Sequence, residues 1–136
     1  MPYLLELIVL QVLCGCAPAL ATTTAPQERS PQQIVLAPKQ SARIDGTSLS
    51  ITFEEVVADS RCPKDVTCIW AGDVEVRVRI DSGNAAPHVA TLHLNTAENE
   101  TVSGEHRVTL IAVTPYPDST QKIDPAAYRA TVRVAR

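Results

Sequence analysis

Apolar and polar residues alternate with a period of two along most of the chain after Ile34. The clearest run covers residues 74–81, where four aliphatic residues alternate with four charged ones. Because successive side chains of a β-strand point to opposite faces, this run predicts a strand with one buried and one solvated face. No stretch of the sequence shows convincing helical periodicity.

The same alternation predicts six further strands, at residues 34–37, 40–44, 48–57, 88–94, 107–114 and 128–134. Asp45-Gly46 separates two of these strands and is a strong hairpin signal. Residues 107–114 are apolar on both faces around Ile111, which predicts a central position in a sheet. About seven short strands joined by turns predict an all-β fold, a single antiparallel β-sandwich that is immunoglobulin-like in outline.

The N-terminal residues 1–21 have the features of a signal peptide, because a mostly apolar run is followed by small residues. The apolar run is shorter than the roughly 20 residues that a membrane-spanning helix needs. Residues 13–16 (LCGC) resemble a bacterial lipobox, which would place a lipid on Cys16. Residues 19–21 (ALA) instead fit signal peptidase cleavage before Thr22. Both cleavage sites predict export, either lipid-anchored to a bacterial membrane or free in the periplasm or medium.

Residues 22–33 are rich in Thr, Pro and Gln and lack periodicity, which predicts a disordered tether before a domain at residues 34–136. Removal of the leader takes away Glu6 and leaves 12 basic and 14 acidic residues, a net charge of −2. Because this chain has no basic surplus, nucleic acid is not an expected partner.

Cys62 and Cys68 lie in a charged segment, residues 59–72, between two predicted strands. Zinc sites usually bring closer cysteine pairs together with a second pair of ligands, and redox pairs have the C-x-x-C spacing. A local disulfide that closes this connector is therefore favoured over half of a metal site, a redox pair or two unrelated thiols.

The residues around this cysteine pair have a structural and a functional interpretation. Trp70, the only tryptophan, is expected to pack against the disulfide or the sheet, with ligand stacking as the alternative. Asp59 and Ser60 can bond to nearby backbone in a turn, and an Asp59–Arg61 pair can fix the loop. Alternatively, Asp59, Ser60 and Arg61 form a binding loop together with Trp70. These four residues are the candidate binding site.

The segment DSRCPKDVTCIWAG, followed by VEVRVRI and later by TPYPD and a strand with Tyr128, resembles a group of small secreted or lipid-anchored bacterial proteins. These proteins carry a DSRCP…C-x-W-x-G signature, and the resemblance extends from about Ile34 to Val134. It implies location and architecture but no enzymatic mechanism. The positions that match the signature are Asp59, Ser60, Arg61, Cys62, Pro63, Cys68, Trp70 and Gly72.

Catalytic and metal chemistry have little support in the sequence. His88 and His93 fall on opposite faces of one predicted strand, which disfavours a shared metal site, and no cofactor is predicted. Glu54 and Glu55 also face opposite sides, and no G-x-S-x-G motif is present.

The predicted function is therefore a non-catalytic cell-envelope or secreted domain, structural or protein-binding. Its expected partner is an envelope or extracellular protein, and its expected membrane contact is limited to a lipid anchor. A secreted inhibitor that presents residues 59–72 is the main alternative, and an enzyme is a weaker one.

Overall fold

The computed structural model describes residues 30–136, which form two four-stranded antiparallel sheets. The leader, Cys16 and the tether before Ser30 lie outside the described residues. The strands are β1 (Gln32–Leu36), β2 (Ser41–Arg43), β3 (Ser50–Asp59), β4 (Val74–Asp81), β5 (His88–His93), β6 (Glu100–Ser103), β7 (His106–Thr114) and β8 (Arg129–Ala135). One sheet has the order β1-β8-β7-β6 and the other β2-β3-β4-β5. The all-β, sandwich-like fold predicted from the alternation is confirmed.

The inner faces of the two sheets supply one aliphatic core, as the alternation predicts. Every second residue of β4 is buried, as are Tyr128, directly before β8, and Ala130 and Val132 within β8. The largest fully buried side chains are Phe53, Leu36, Leu49, Ile51, Ile80, Leu92, Leu110, Val74, Val76, Val78, Val108 and Val132.

β7 is central in its sheet, as predicted, because it lies between β8 and β6. Its register shifts between Leu110 and Ala112, which marks a β-bulge at Ile111. A bulge adds one residue and so moves the inward positions from even to odd numbers. Leu110 before the bulge and Val113 after it are both buried. The bulge therefore explains why the segment reads as apolar on both faces.

One strand was not predicted, and the start of another moves the predicted boundary of the domain. β6 (Glu100–Ser103) was not predicted, because Ser103 is its only buried residue and the strand carries no apolar alternation. Its backbone pairing with β7 defines it instead. β1 begins at Gln32, since Gln32 pairs with Val134, so residues 32 and 33 belong to the domain rather than to the tether.

The chain enters and leaves the domain at the end opposite residues 59–72. Gln32, in the first strand, makes two hydrogen bonds with Asp45, which precedes β3. The last strand ends at the same pole, since Val134 pairs with Gln32. β3 then runs for ten residues, roughly 33 Å, to Asp59 at the other pole. In residues 30–136 no helix is long and apolar enough to cross a bilayer.

Candidate functional site

Cys62 and Cys68 form the predicted disulfide, with their Cα atoms 5.9 Å apart. The bridge closes the connector between β3 and β4, and we call residues 59–72 the disulfide loop. Because the disulfide joins two positions of one short loop, it restricts the loop itself and does not link the two sheets.

The base of the disulfide loop is fixed by Arg61, which is 3% exposed. Its guanidinium binds the Asp59 carboxylate through two hydrogen bonds, Nε to Oδ1 at 2.8 Å and Nη2 to Oδ2 at 2.6 Å. Nη1 donates to the Val113 carbonyl at 2.6 Å and Nη2 to the Pro115 carbonyl at 3.0 Å. Asp59 ends a strand of one sheet, whereas Val113 belongs to the other sheet. Arg61 therefore clamps the two sheets together at this pole.

Two tyrosines complete the clamp. The Tyr128 hydroxyl donates to Asp59 Oδ2 at 3.0 Å, and the Arg61 guanidinium lies 4.8 Å from the centre of the Tyr116 ring. Burial acts to raise the pKa of Asp59, but hydrogen bonds from Arg61 and Tyr128 outweigh burial and lower this pKa. Burial, followed by the hydrogen bond to Asp59, raises the pKa of Tyr128 to about 12. At neutral pH the clamp is thus an ionised carboxylate held by a guanidinium and a neutral phenol.

Further hydrogen bonds pair the two stems of the disulfide loop, which are residues 59–62 on the outgoing side and residues 71–73 on the returning side. The Ser60 amide donates to the Asp73 carbonyl at 2.7 Å, and the Asp73 amide donates to Ser60 Oγ at 3.1 Å. The Cys62 amide donates to the Ala71 carbonyl at 2.9 Å. Gly72 is the residue of closest approach, since a Cβ there would lie 1.9 Å from the Ser60 carbonyl oxygen. The stems are therefore paired down to the start of β4.

The side of the disulfide loop is attached to the connector that follows β7. The Lys64 amide donates to the Pro117 carbonyl at 3.0 Å, and the Asp65 carboxylate accepts from the Ser119 amide at 2.9 Å and from its hydroxyl. Lys64 Nζ also lies 3.6 Å from Asp118 Oδ2. These contacts hold the loop against the connector in addition to the clamp.

Ile69 and Trp70 form the exposed tip of the disulfide loop, with 92% and 81% of their surfaces exposed. The prediction that Trp70 packs against the disulfide or the sheet is therefore wrong. Arg61 occupies the space between the sheets at this pole. Because Cys62 pairs with Ala71, the residues between these two, including Trp70, lie outside the core. Two half-exposed apolar residues, Val66 and Tyr116, add to the apolar surface near this pole.

The structure divides the four candidate binding residues into two groups. Asp59 and Arg61 face inward and Ser60 pairs the stems, so these three hold the loop in place. Trp70 faces solvent. Tyr116 and Tyr128 were not assigned to the site from the sequence. Their only signal was their presence in the TPYPD segment and the last strand, which gives no indication of a contact with residues 59–61.

Within residues 30–136, no second site of reactive groups competes with the disulfide loop. Between Ser30 and Arg136 no group of three His, Cys, Asp or Glu residues is arranged to hold a metal ion. A groove of about 800 Å³ runs between the second half of β3 and the connector before β8. Its carboxylates are engaged, because Glu54 pairs with Arg79 and Glu55 with Arg77. Asp59, the third carboxylate of the lining, pairs with Arg61, so all three carboxylates are held in ion pairs with arginines.

Comparisons of the chain with protein-family models, with curated proteins and with solved structures gave no match.

Proposed function

We propose that this protein is a non-catalytic binding module of the cell envelope or extracellular space, with Ile69 and Trp70 as its main contacts. The observation that carries the proposal is the 81% exposure of the only tryptophan at the tip of a closed loop. Tryptophan is enriched among the residues that dominate protein–protein binding energies. Exposed together with Ile69, it offers a compact apolar contact that a matching pocket on a partner would bury.

The attachment of the disulfide loop supports this proposal. The disulfide, the paired stems and the contacts of Lys64 and Asp65 restrict the loop before any partner binds. A preorganised loop loses less conformational entropy on binding, which favours affinity. A secreted inhibitor would be a special case of this module, in which the bound partner is an enzyme.

Export is supported by the disulfide, since disulfides persist in oxidising compartments. We further propose that the chain is either lipid-anchored through Cys16 or cleaved before Thr22. The chain enters the domain at the pole opposite the tip, so an N-terminal anchor would be attached at the pole far from Trp70. Mass spectrometry of the mature protein should find a diacylglyceryl group on Cys16, or Thr22 as the first residue. An intact Met1 would contradict both forms.

Replacing the tip tryptophan, Trp70→Ala, should weaken partner binding at least about thirtyfold and leave stability nearly unchanged. Loss of a buried interface tryptophan typically costs 2 kcal/mol or more, about a thirtyfold loss of affinity. A change at an exposed position alters the free energy of unfolding by only about 0.5 kcal/mol. Cross-linked capture from the host's envelope and extracellular proteins, quantified by mass spectrometry, measures binding, and urea denaturation measures stability.

Val102→Ala is the matched control, because Val102 is an exposed apolar residue of β6, outside the disulfide loop. The proposal requires a protein that the wild type and Val102→Ala both capture and that Trp70→Ala does not. If Trp70→Ala captures the same proteins as the wild type, the tip is not the recognition surface.

A further inference from the structure

His93, the last residue of β5, lies among three carboxylates. Its Nδ1 is 2.8 Å from Asp73 Oδ2, and its Nε2 is 3.6 Å from Glu98 Oε2. Glu75 of β4 is its direct cross-strand partner. A protonated imidazole carries an N–H on each ring nitrogen, so it can donate to Asp73 and attract Glu98 at the same time. A neutral imidazole keeps only one N–H and no charge.

Asp73 connects this cluster to the disulfide loop. Its second carboxylate oxygen accepts from the Asn95 amide at 2.9 Å, and the Asn95 side chain donates to the Gly72 carbonyl at 2.8 Å. The backbone of Asp73 is also the partner of Ser60 across the two stems. Asp73 therefore joins the returning stem, three residues after Trp70, to the connector between β5 and β6.

The charges around His93 favour its protonated form. Arg77 on the neighbouring strand β4 is engaged by Glu55, so its charge is already offset. The hydrogen bond with Asp73 is the main cause that raises the pKa of His93. Burial lowers this pKa, but the negative charges of Asp73, Glu75 and Glu98 raise it further. Stabilisation from this raised pKa is fully present below the ordinary pKa of 6.5 and is lost as the pH rises through the folded-state pKa.

We propose that His93 is a proton-dependent latch on the disulfide loop. When the imidazole is protonated, it holds Asp73 and Glu98 together and fixes the returning stem. When it loses its proton, the attraction to Glu98 disappears, the contact with Asp73 weakens, and the stem opens more often. The consequence for recognition rests on the proposed function: the partner should bind more tightly at mildly acidic pH, where the tip is best preorganised.

The test of the latch needs no partner. NMR should show that His93 titrates above pH 6.5, and amide-exchange protection factors of Ser60 and Asn95 should report stem opening. In the wild type, both protection factors should fall about threefold to fivefold as the pH rises through the His93 titration. His93→Gln can still donate to Asp73 but cannot be protonated, so its protection factors should not depend on pH in this range.

His88→Gln is the control, because His88 is an exposed residue of the same strand, and it should behave as the wild type does. A normal or lowered pKa for His93, protection factors independent of pH in the wild type, or the same pH dependence in His93→Gln would each overturn the latch. A second arm measures the affinity of any protein captured in the Trp70→Ala experiment at pH 6 and pH 8.5 (roughly either side of an ordinary imidazole pKa). If no protein is captured, the proposed function is refuted. The latch is not affected by that result, because amide exchange tests it without a partner.

Discussion

Replacement of Arg61 by methionine should lower the free energy of unfolding by about 3–5 kcal/mol. Methionine keeps an unbranched apolar stem but leaves the Asp59 carboxylate without its bidentate partner and the Val113 and Pro115 carbonyls without their donor. Removal of one member of a buried ion pair is costly because the remaining charge is desolvated and unpaired. Such a loss is a large part of the roughly 5–15 kcal/mol stability of a typical domain. Urea denaturation of the wild type and Arg61→Met measures the difference.

Arg79→Met is the matched control, since Arg79 pairs with Glu54 on the exposed face of the sheet and should cost under about 1 kcal/mol. The pH dependence gives an independent check on Asp59. Because its pKa is lowered in the folded protein, its contribution is present above the ordinary value of 3.8 and is lost as the pH falls through the lower folded-state value. The gap between wild type and Arg61→Met should therefore narrow below about pH 3.8. Equal costs for the two arginines at neutral pH would show that Arg61 is no clamp.

Replacement of Gly72 by alanine should cost about 3–5 kcal/mol, for two separate reasons. Gly72 has φ +69°, a left-handed conformation that strains any residue with a Cβ. The added Cβ would also lie 1.9 Å from the Ser60 carbonyl oxygen, and that oxygen belongs to the backbone of the opposite stem. Because the Cβ would meet a backbone atom, no side-chain rotation relieves the clash, and a shift of either stem would disturb the Ser60–Asp73 hydrogen bonds. Thermal and urea unfolding of Gly72→Ala measure the loss.

Gly104→Ala separates the two causes. Gly104 has φ +60°, but nothing lies within 4 Å of the position of its Cβ. It should therefore show only the conformational strain, about 1–2 kcal/mol. If Gly72→Ala is no worse than Gly104→Ala, the stems are not packed as tightly as the structure indicates.

The strands were predictable because each buried face repeats in the local sequence. Val74, Val76 and Val78 need only the two-residue period to be placed inward, and Asp45-Gly46 marks its own hairpin. β6 could not be predicted in this way, since its pairing with β7 rather than its composition makes it a strand. The disulfide was predictable from spacing because both cysteines lie in one short loop.

The Asp59–Arg61 pair was predictable from local sequence, but the burial of Arg61 and the exposure of Trp70 were not, because they depend on contacts between distant residues. Composition favours a buried tryptophan and an exposed arginine. In the structure Arg61 is buried and Trp70 is exposed. Arg61 can be buried because the Val113 and Pro115 carbonyls and the Asp59 carboxylate accept its hydrogen bonds inside the sandwich. These acceptors are brought together only by the packing of the two sheets. Burial of a polar side chain is decided by such partners, and two of them, the Val113 and Pro115 carbonyls, are more than 50 residues away in the sequence.

The fluorescence of Trp70 tests most directly the central claim, which is that the disulfide loop exposes an apolar tip. Trp70 is the only tryptophan, so emission excited at a wavelength that the tyrosines do not absorb comes from the tip alone. The folded domain should emit at nearly the same wavelength as the urea-unfolded chain, and acrylamide should quench both to a similar degree, because Trp70 is 81% exposed. A folded-state emission shifted to shorter wavelength and shielded from acrylamide would place Trp70 in the interior and contradict the account.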